Sequence, residues 1–212
     1  PQAEKMAEAE AAARRALAIR EKALGSFHPL VADSLLTIAD IERSVGRLDE
    51  AAADGRLALA AAERAFGSDS VRLVSYLNAM AGVFWQKGDP AGAQPFMARM
   101  AAIDEKAYGP DHPVVASDCA NQALLLRAQG KAAEAEALFR RSLAIREKSL
   151  GPRHYLVADS LNKLAVSAME RQDFAAAESL LARALEIASE ALGQTSQGAL
   201  DVHYNLVANA AL

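Results

Sequence analysis

Four histidines, one cysteine and one closely spaced serine and lysine are the side chains here that stand out as able to ligate a metal or attack a carbonyl carbon. Neutral imidazoles hold zinc at ~2.0–2.1 Å, so His28, His112 and His154 would have to converge to share an ion. Their spacing of 84 and then 42 residues argues against convergence. Forty-two residues is the period of the whole chain, so the three histidines are one position of a repeated unit, one or two repeats apart. This predicts a structural side chain beside each turn and no metal.

Cys119 falls where other copies carry Leu35, Leu77 and Leu161, which predicts a small buried hydrophobe rather than a thiolate nucleophile. His203 falls at the same position and is expected as a satisfied or partly exposed side chain on the core-facing side. Ser160-Leu161-Asn162-Lys163 spells the Ser-x-x-Lys of penicillin-recognising enzymes, but no Lys-Thr-Gly follows it. The repeat explains the same four residues. There is no glycine-rich phosphate loop, His-Glu-x-x-His or paired-cysteine motif, and Asp49 and Glu50 fall on expected solvated turns. The expectation is a non-enzyme with no cofactor.

The elements that carry these residues follow from Gly25, Gly67, Gly109, Gly151 and Gly193, spaced at 42 residues. Before each glycine lies a stretch such as AEAAARRALAIREKALG (9 to 25) or AEALFRRSLAIREKSLG (135 to 151), with apolar residues three and four apart. That spacing predicts an amphipathic helix, and the glycine predicts a left-handed C-cap. In the third copy Phe96, Met100, Ile103 and Ala107 trace the apolar stripe, with Arg99, Asp104 and Lys106 expected on the wet face. After each glycine a turn, twice His-Pro, starts another helix, with Pro29 and Pro113 suited to its first position.

A second glycine set, Gly46, Gly88 and Gly130, closes that helix, and Gln172 at the fourth equivalent place predicts a less tight turn. Small residues mark the expected helix crossings: Ala9, Ala51, Ala93, Ala135 and Ala177 in one series, and Ala39, Ala81, Ala123, Ala165 and Val207 in the other. Larger residues, including Leu35, Ile38, Leu77, Met80, Leu161 and Leu164, fill the space between units. Pro95 lies inside a helix, where a tolerated kink is expected. Gly55 replaces a bulky position and is expected to loosen its surroundings at a cost of about 1 kcal/mol.

Composition agrees with closely packed helices. Alanine makes up nearly a quarter of the chain and aromatic residues 5%. With 23 basic and 27 acidic residues and no block of either sign, neither nucleic acid nor an anionic membrane is implied as a partner. No uncharged stretch reaches the roughly 18 residues of a membrane span, and no leader opens the chain. A soluble protein is expected, with a cytoplasmic setting suggested by the single cysteine. The alanine-rich, arginine-rich composition suggests a bacterial source.

RALAIREKALG (15 to 25), RSLAIREKSLG (141 to 151), PDHPVVA (110 to 116), VADSLNKLA (157 to 165) and AQPF (93 to 96) together resemble tetratricopeptide repeats of the 42-residue type found in kinesin light chains and many bacterial proteins. The resemblance spans essentially the whole chain. It implies an all-α fold, a right-handed α-solenoid of antiparallel helix pairs with about five units and about ten helices. A single array over 1–212 would divide into 1–25 (second helix only), 26–67, 68–109, 110–151, 152–193 and 194–212 (first helix only).

The resemblance also implies that the first helix of each unit lines a concave groove that binds a protein or peptide. Its positions would be Asp33, Leu36, Asp40 and Arg43; Asn78 and Trp85; Asn121 and Arg127; Asp159, Asn162 and Lys163; and Tyr204. Asn can pair with peptide amides, Arg and Lys with carboxylates, and Trp85 can serve as a rigid anchor. The clamp for chaperone tails is not expected, because Gly82 and Asp159 stand where that subtype carries Asn and Lys. The function expected is a non-enzymatic scaffold holding an extended peptide or partner helix. Two alternatives are a self-associating array joined end to end through its half-repeats, and a sensory or regulatory arm of a larger protein. The frame cuts both ends mid-unit, and Pro1 is not an initiator methionine, so a fragment or a solvated cap is preferred to assembly.

Overall fold

The computed structural model describes residues 2–192 and 196–210, and among these it is entirely helical apart from turns. Gly193, the fifth closing glycine, lies outside the described residues, as do both chain termini. The helices are α1 (Gln2–Leu24), α2 (Pro29–Ser44), α3 (Leu48–Phe66), α4 (Val74–Gln86), α5 (Pro90–Tyr108), α6 (Pro113–Ala128), α7 (Ala132–Leu150), α8 (Tyr155–Glu170), α9 (Phe174–Leu192) and α10 (Gln197–Ala210). A short 3-10 turn, Val71–Leu73, precedes α4. Consecutive helices pack as antiparallel pairs. Two compact units emerge, Pro1–Ala107 and Tyr108–Leu212.

Each histidine of the repeated set caps a helix. His28, His112 and His154 are extended, and their Nδ1 atoms accept the backbone N–H of Leu30, Val114 and Leu156, each at 3.2 Å. These are otherwise orphaned N–H groups of the first helical turn. Accepting at Nδ1 leaves Nε2 as the protonated nitrogen of the neutral ring. Ser70 and Ser196, at the same repeat position, do the same work through Oγ for Arg72 and Ala199.

The closing glycines depart from the expected left-handed cap. Gly67 and Gly151 have φ near 86° and 87° but ψ of 157° and 155°, an extended backbone that essentially only glycine adopts. Their spacing is thus imposed by the backbone more strictly than a left-handed cap would require.

At the inner turn, the expected loosening at Gln172 does not occur. Gln172 holds φ 62°, its N–H bonds to the Met169 carbonyl at 2.9 Å, and the Asp173 N–H reaches the Ala168 carbonyl at 3.0 Å. That is the Schellman pattern of Gly46, Gly88 and Gly130, forced onto a residue with a side chain. Gln172→Gly should therefore stabilise the protein by about 1 kcal/mol, raising Tm by ~2–4 °C in thermal denaturation.

Within each unit the core lies between the helices of each pair and between successive pairs. Ala51, Ala93, Ala135 and Ala177 are fully buried at their crossings, and Ala39, Ala81, Ala123 and Ala165 nearly so. Ala9 and Val207 are exposed instead, and so is His203, because no described helix covers the outer sides of α1 and α10. Leu35, Ile38, Leu77, Met80, Leu161, Leu164 and Cys119 are all buried as expected. Asp104 is buried too, not on the wet face, and Ala107 of the stripe is exposed.

Gly55 does not loosen its surroundings. A Cβ there would stand 2.5 Å from the sulfur of fully buried Met80, so the methionine occupies the space the missing side chain leaves. Pro95 sits inside α5, where its missing N–H forgoes one helical hydrogen bond.

One contact recurs between each turn and the second helix of its own repeat, with changing chemistry. Arg64 lies over the Phe27 ring at 5.1 Å, Lys106 pairs with Asp69 at 2.6 Å, Lys148 pairs with Asp111, and Arg153 pairs with Glu190 at 2.9 Å. The last pair reverses the charges. Exposed pairs of this kind contribute little to stability, but a swapped pair rejects a wrongly registered partner.

Candidate partner-binding face

The first helices α2 and α4 are neighbours in the first unit, and α6, α8 and α10 carry the remaining predicted positions in the second. In the first unit, the Tyr76 hydroxyl donates to Asp33 at 2.5 Å and Gln86 Nε2 donates to the Arg43 carbonyl at 3.3 Å. Burial and the Asp33 carboxylate push the Tyr76 hydroxyl's pKa well above its ordinary value, so it remains a donor. These bonds bring Leu36 and Arg43 to the same side as Asn78 and Trp85. Leu36 is half-buried, Asn78 is exposed, and Trp85 is 52% exposed. Arg43 is engaged by Asp40 at 3.4 Å.

In the second unit Arg127 of α6 reaches Glu170 of α8 at 3.8 Å, and Asn205 of α10 donates to Asn162 of α8 at 2.8 Å. These links align Arg127, Asn162 and Lys163 along adjacent helices. Asn121 is exposed and Tyr204 is 74% exposed. Lys163 is paired with Asp159. Arg43, Arg127 and Lys163 therefore each carry an acidic neighbour, and a partner's carboxylate would have to compete for them. The predicted residues fall into these two groups, one per unit.

Lys163 turns to Asp159 rather than to Ser160, whose Oγ accepts Arg146 Nη1 at 2.8 Å. The Ser-x-x-Lys tetrapeptide is thus dismantled by its own neighbours.

Sequence reasoning missed the arginine seat to which Arg146 belongs. From α7, Arg146 Nη1 also donates to the Leu156 carbonyl at 2.9 Å and to Asp159 Oδ2 at 2.8 Å, with the side chain only 6% exposed. Burial pushes the Asp159 carboxyl up, but Lys163 and Arg146 together outweigh it and hold it below its ordinary range. Arg20 of α1 occupies the equivalent seat against α2, donating to the Leu30 carbonyl at 3.2 Å and to Ser34 Oγ at 2.6 Å. The signal was in the sequence: Arg20 and Arg146 are three periods apart, each followed by Ser fourteen residues on.

A second missed feature is Glu42, a fully buried acid on α2 where α6 carries Leu126 and α8 Ala168. Arg14 of α1 reaches it at 2.6 Å. Burial, then the nearby Asp54 carboxylate, raise the pKa of Glu42 above its ordinary value.

No helix among the described residues is long and apolar enough to cross a membrane. A tetratricopeptide repeat family model matches residues 2–64, 36–106, 71–148 and 117–190. No curated protein matches. Among solved structures, BtubC (BKLC) from P. vanneervenii aligns with a TM-score of 0.76 at 20% identity, covering 97% of this chain and 83% of its own. A Podosopora anserina protein named as a kinesin light chain, built of nearly identical TPR-like repeats, aligns with a TM-score of 0.78 at 23% identity over 92% of both chains. At such identities the likeness is one of fold.

Proposed function

Because this chain belongs to the tetratricopeptide repeat family, whose members serve generically as protein-interaction modules, we propose that it is a non-enzymatic scaffold holding an extended peptide or partner helix on its first-helix face. The observation that carries this reading is Trp85. A large aromatic side chain stands 52% exposed on α4 at a position where the other first helices carry Arg43, Arg127 and Met169, so the common core does not demand it. Rigid, half-exposed aromatics of this kind anchor interfaces at low entropic cost.

Its surroundings support the same reading. Asn78 lies seven residues earlier, on the same face of α4. Between them Gly82 has a helical backbone, and a Cβ added there would meet nothing within 4 Å. Packing therefore does not require glycine, which costs about 1 kcal/mol against Ala in a helix interior. The bare backbone leaves a shallow place beside Trp85 where a partner chain can approach closely.

The test begins with peptides selected from a displayed random-sequence library on the intact chain. Trp85→Ala should weaken the selected peptides by about 2 kcal/mol or more, roughly thirtyfold, while circular dichroism stays helical. Peptides that bind Trp85→Ala unchanged, and lose affinity on Arg140→Ala at the second-helix surface instead, would overturn the reading.

A further inference from the structure

The arginine seat described above is built a third time in the chain without its arginine. In the repeat frame, Arg20 and Arg146 correspond to Ala62, Asp104 and Ala188, and at Asp104 the serine position is itself an acid, Asp118. Around Ala62 the space is taken by Tyr76, which replaces the serine of the seat and packs in the same buried cluster. At Ala188 on α9 nothing replaces the arginine, because the serine position is Val202 on α10. A cavity of about 430 Å³ opens there, lined by Ala188, Gly198, Asp201 and Val202, with Asp159 and Asn162 on its α8 side.

The remaining acceptors are those a guanidinium would need. Asp201 corresponds to Asp159, whose carboxylate holds Arg146, and the Gly198 carbonyl corresponds to that of Leu156. Asp159 is already engaged by Arg146 and Lys163, whereas the described partner of Asp201 is the uncharged amide of Gln197 at 2.6 Å. The alanine floor and the valine wall are apolar and suit the methylene stem of an arginine. Lysine fits less well, because its compact ammonium is more strongly hydrated than a guanidinium and costs more to bring into a half-closed site with an apolar floor.

We propose that the cavity between Ala188 and Asp201 is a binding site for an arginine side chain of a partner peptide, which reproduces in trans the contact Arg146 makes within the chain. This rests on the reading that the protein captures peptides, and it supplies a chemical requirement for them.

The experiment is calorimetric titration of the intact chain with a short capped peptide carrying one arginine flanked by Gly and Ser, and with its citrulline and lysine counterparts. The arginine peptide should bind saturably at millimolar concentration, and citrulline, which keeps the shape but not the charge, should bind at least about tenfold more weakly. Asp201→Asn should cost a similar factor. Ala188→Arg, which fills the seat in cis, should abolish binding and raise Tm. Val202→Met blocks the cavity from the α10 side and should also abolish binding, which covers the case in which Ala188→Arg folds poorly.

Absence of saturable binding, equal binding of arginine and citrulline peptides, or binding that survives both Ala188→Arg and Val202→Met would each overturn the proposal. Library-selected peptides that need Trp85 but ignore Ala188→Arg would overturn this site while leaving the interaction-module reading in place.

Discussion

Phe139→Ala should cost about 3–5 kcal/mol, read as a fall in the urea midpoint and in Tm. Phe139 is the largest fully buried side chain among the described residues and packs from α7 with Ala123, Leu126 and Leu164 of the flanking helices. Its cavity cannot collapse easily, because Ala123 and Ala135 already bring the helices close and have no side chain to extend into the gap. A repeat array distributes such a loss unevenly, since each unit is stabilised by its nearest neighbours. Amide exchange should therefore accelerate across α6 to α9 while α2 and α3 keep their protection. Equal acceleration in α2 and α3 would show instead that the chain unfolds as one cooperative body.

The same nearest-neighbour logic explains what could be read from the sequence. The 42-residue glycine spacing reports a backbone requirement, because an extended conformation at positive φ excludes other residues wherever it occurs. Helix order, the buried alanines and the turn position of the histidines follow from that spacing. Phase gave Cys119 and His203 the same core-facing position, but burial requires a covering helix: Cys119 has one among the described residues and is buried, whereas His203 is exposed, as an uncapped helix allows.

Features that depend on the match between two particular side chains were less legible. Gly55 looks like a defect until Met80 is seen filling it, and Glu42 looks like a surface acid until Arg14 closes over it. The cations of the expected face suffered from the same blindness. A sequence position shows that Arg127 or Lys163 can point outward, but not that Glu170 or Asp159 has already engaged it.

Arg146→Ala should cost about 2–3 kcal/mol. The change leaves the Ser160 hydroxyl and the Leu156 carbonyl without their charged donor in a buried site, where a lost hydrogen bond to a charged group costs about 1.5–3 kcal/mol. A fully buried ion pair broken on one side would cost more, about 3–5 kcal/mol, but the Asp159 side chain is 39% exposed and retains Lys163. The pH dependence carries a sign. Because the folded Asp159 pKa lies below the ordinary 3.8, its contribution is complete above that value and is lost as pH falls through the folded pKa. Removing Arg146 lets the folded pKa rise toward 3.8, so the acid-side loss of stability becomes shallower, and a variant with the wild-type slope would show that Lys163 alone holds the carboxylate. The variant also empties a seat that retains Asp159, Ser160 and the Leu156 carbonyl, making it chemically akin to the cavity beside Ala188. If arginine recognition is a property of the seat rather than of one place in the chain, Arg146→Ala should bind the arginine peptide with twice the stoichiometry of the wild type, and Arg146→Ala combined with Ala188→Arg should return it to one.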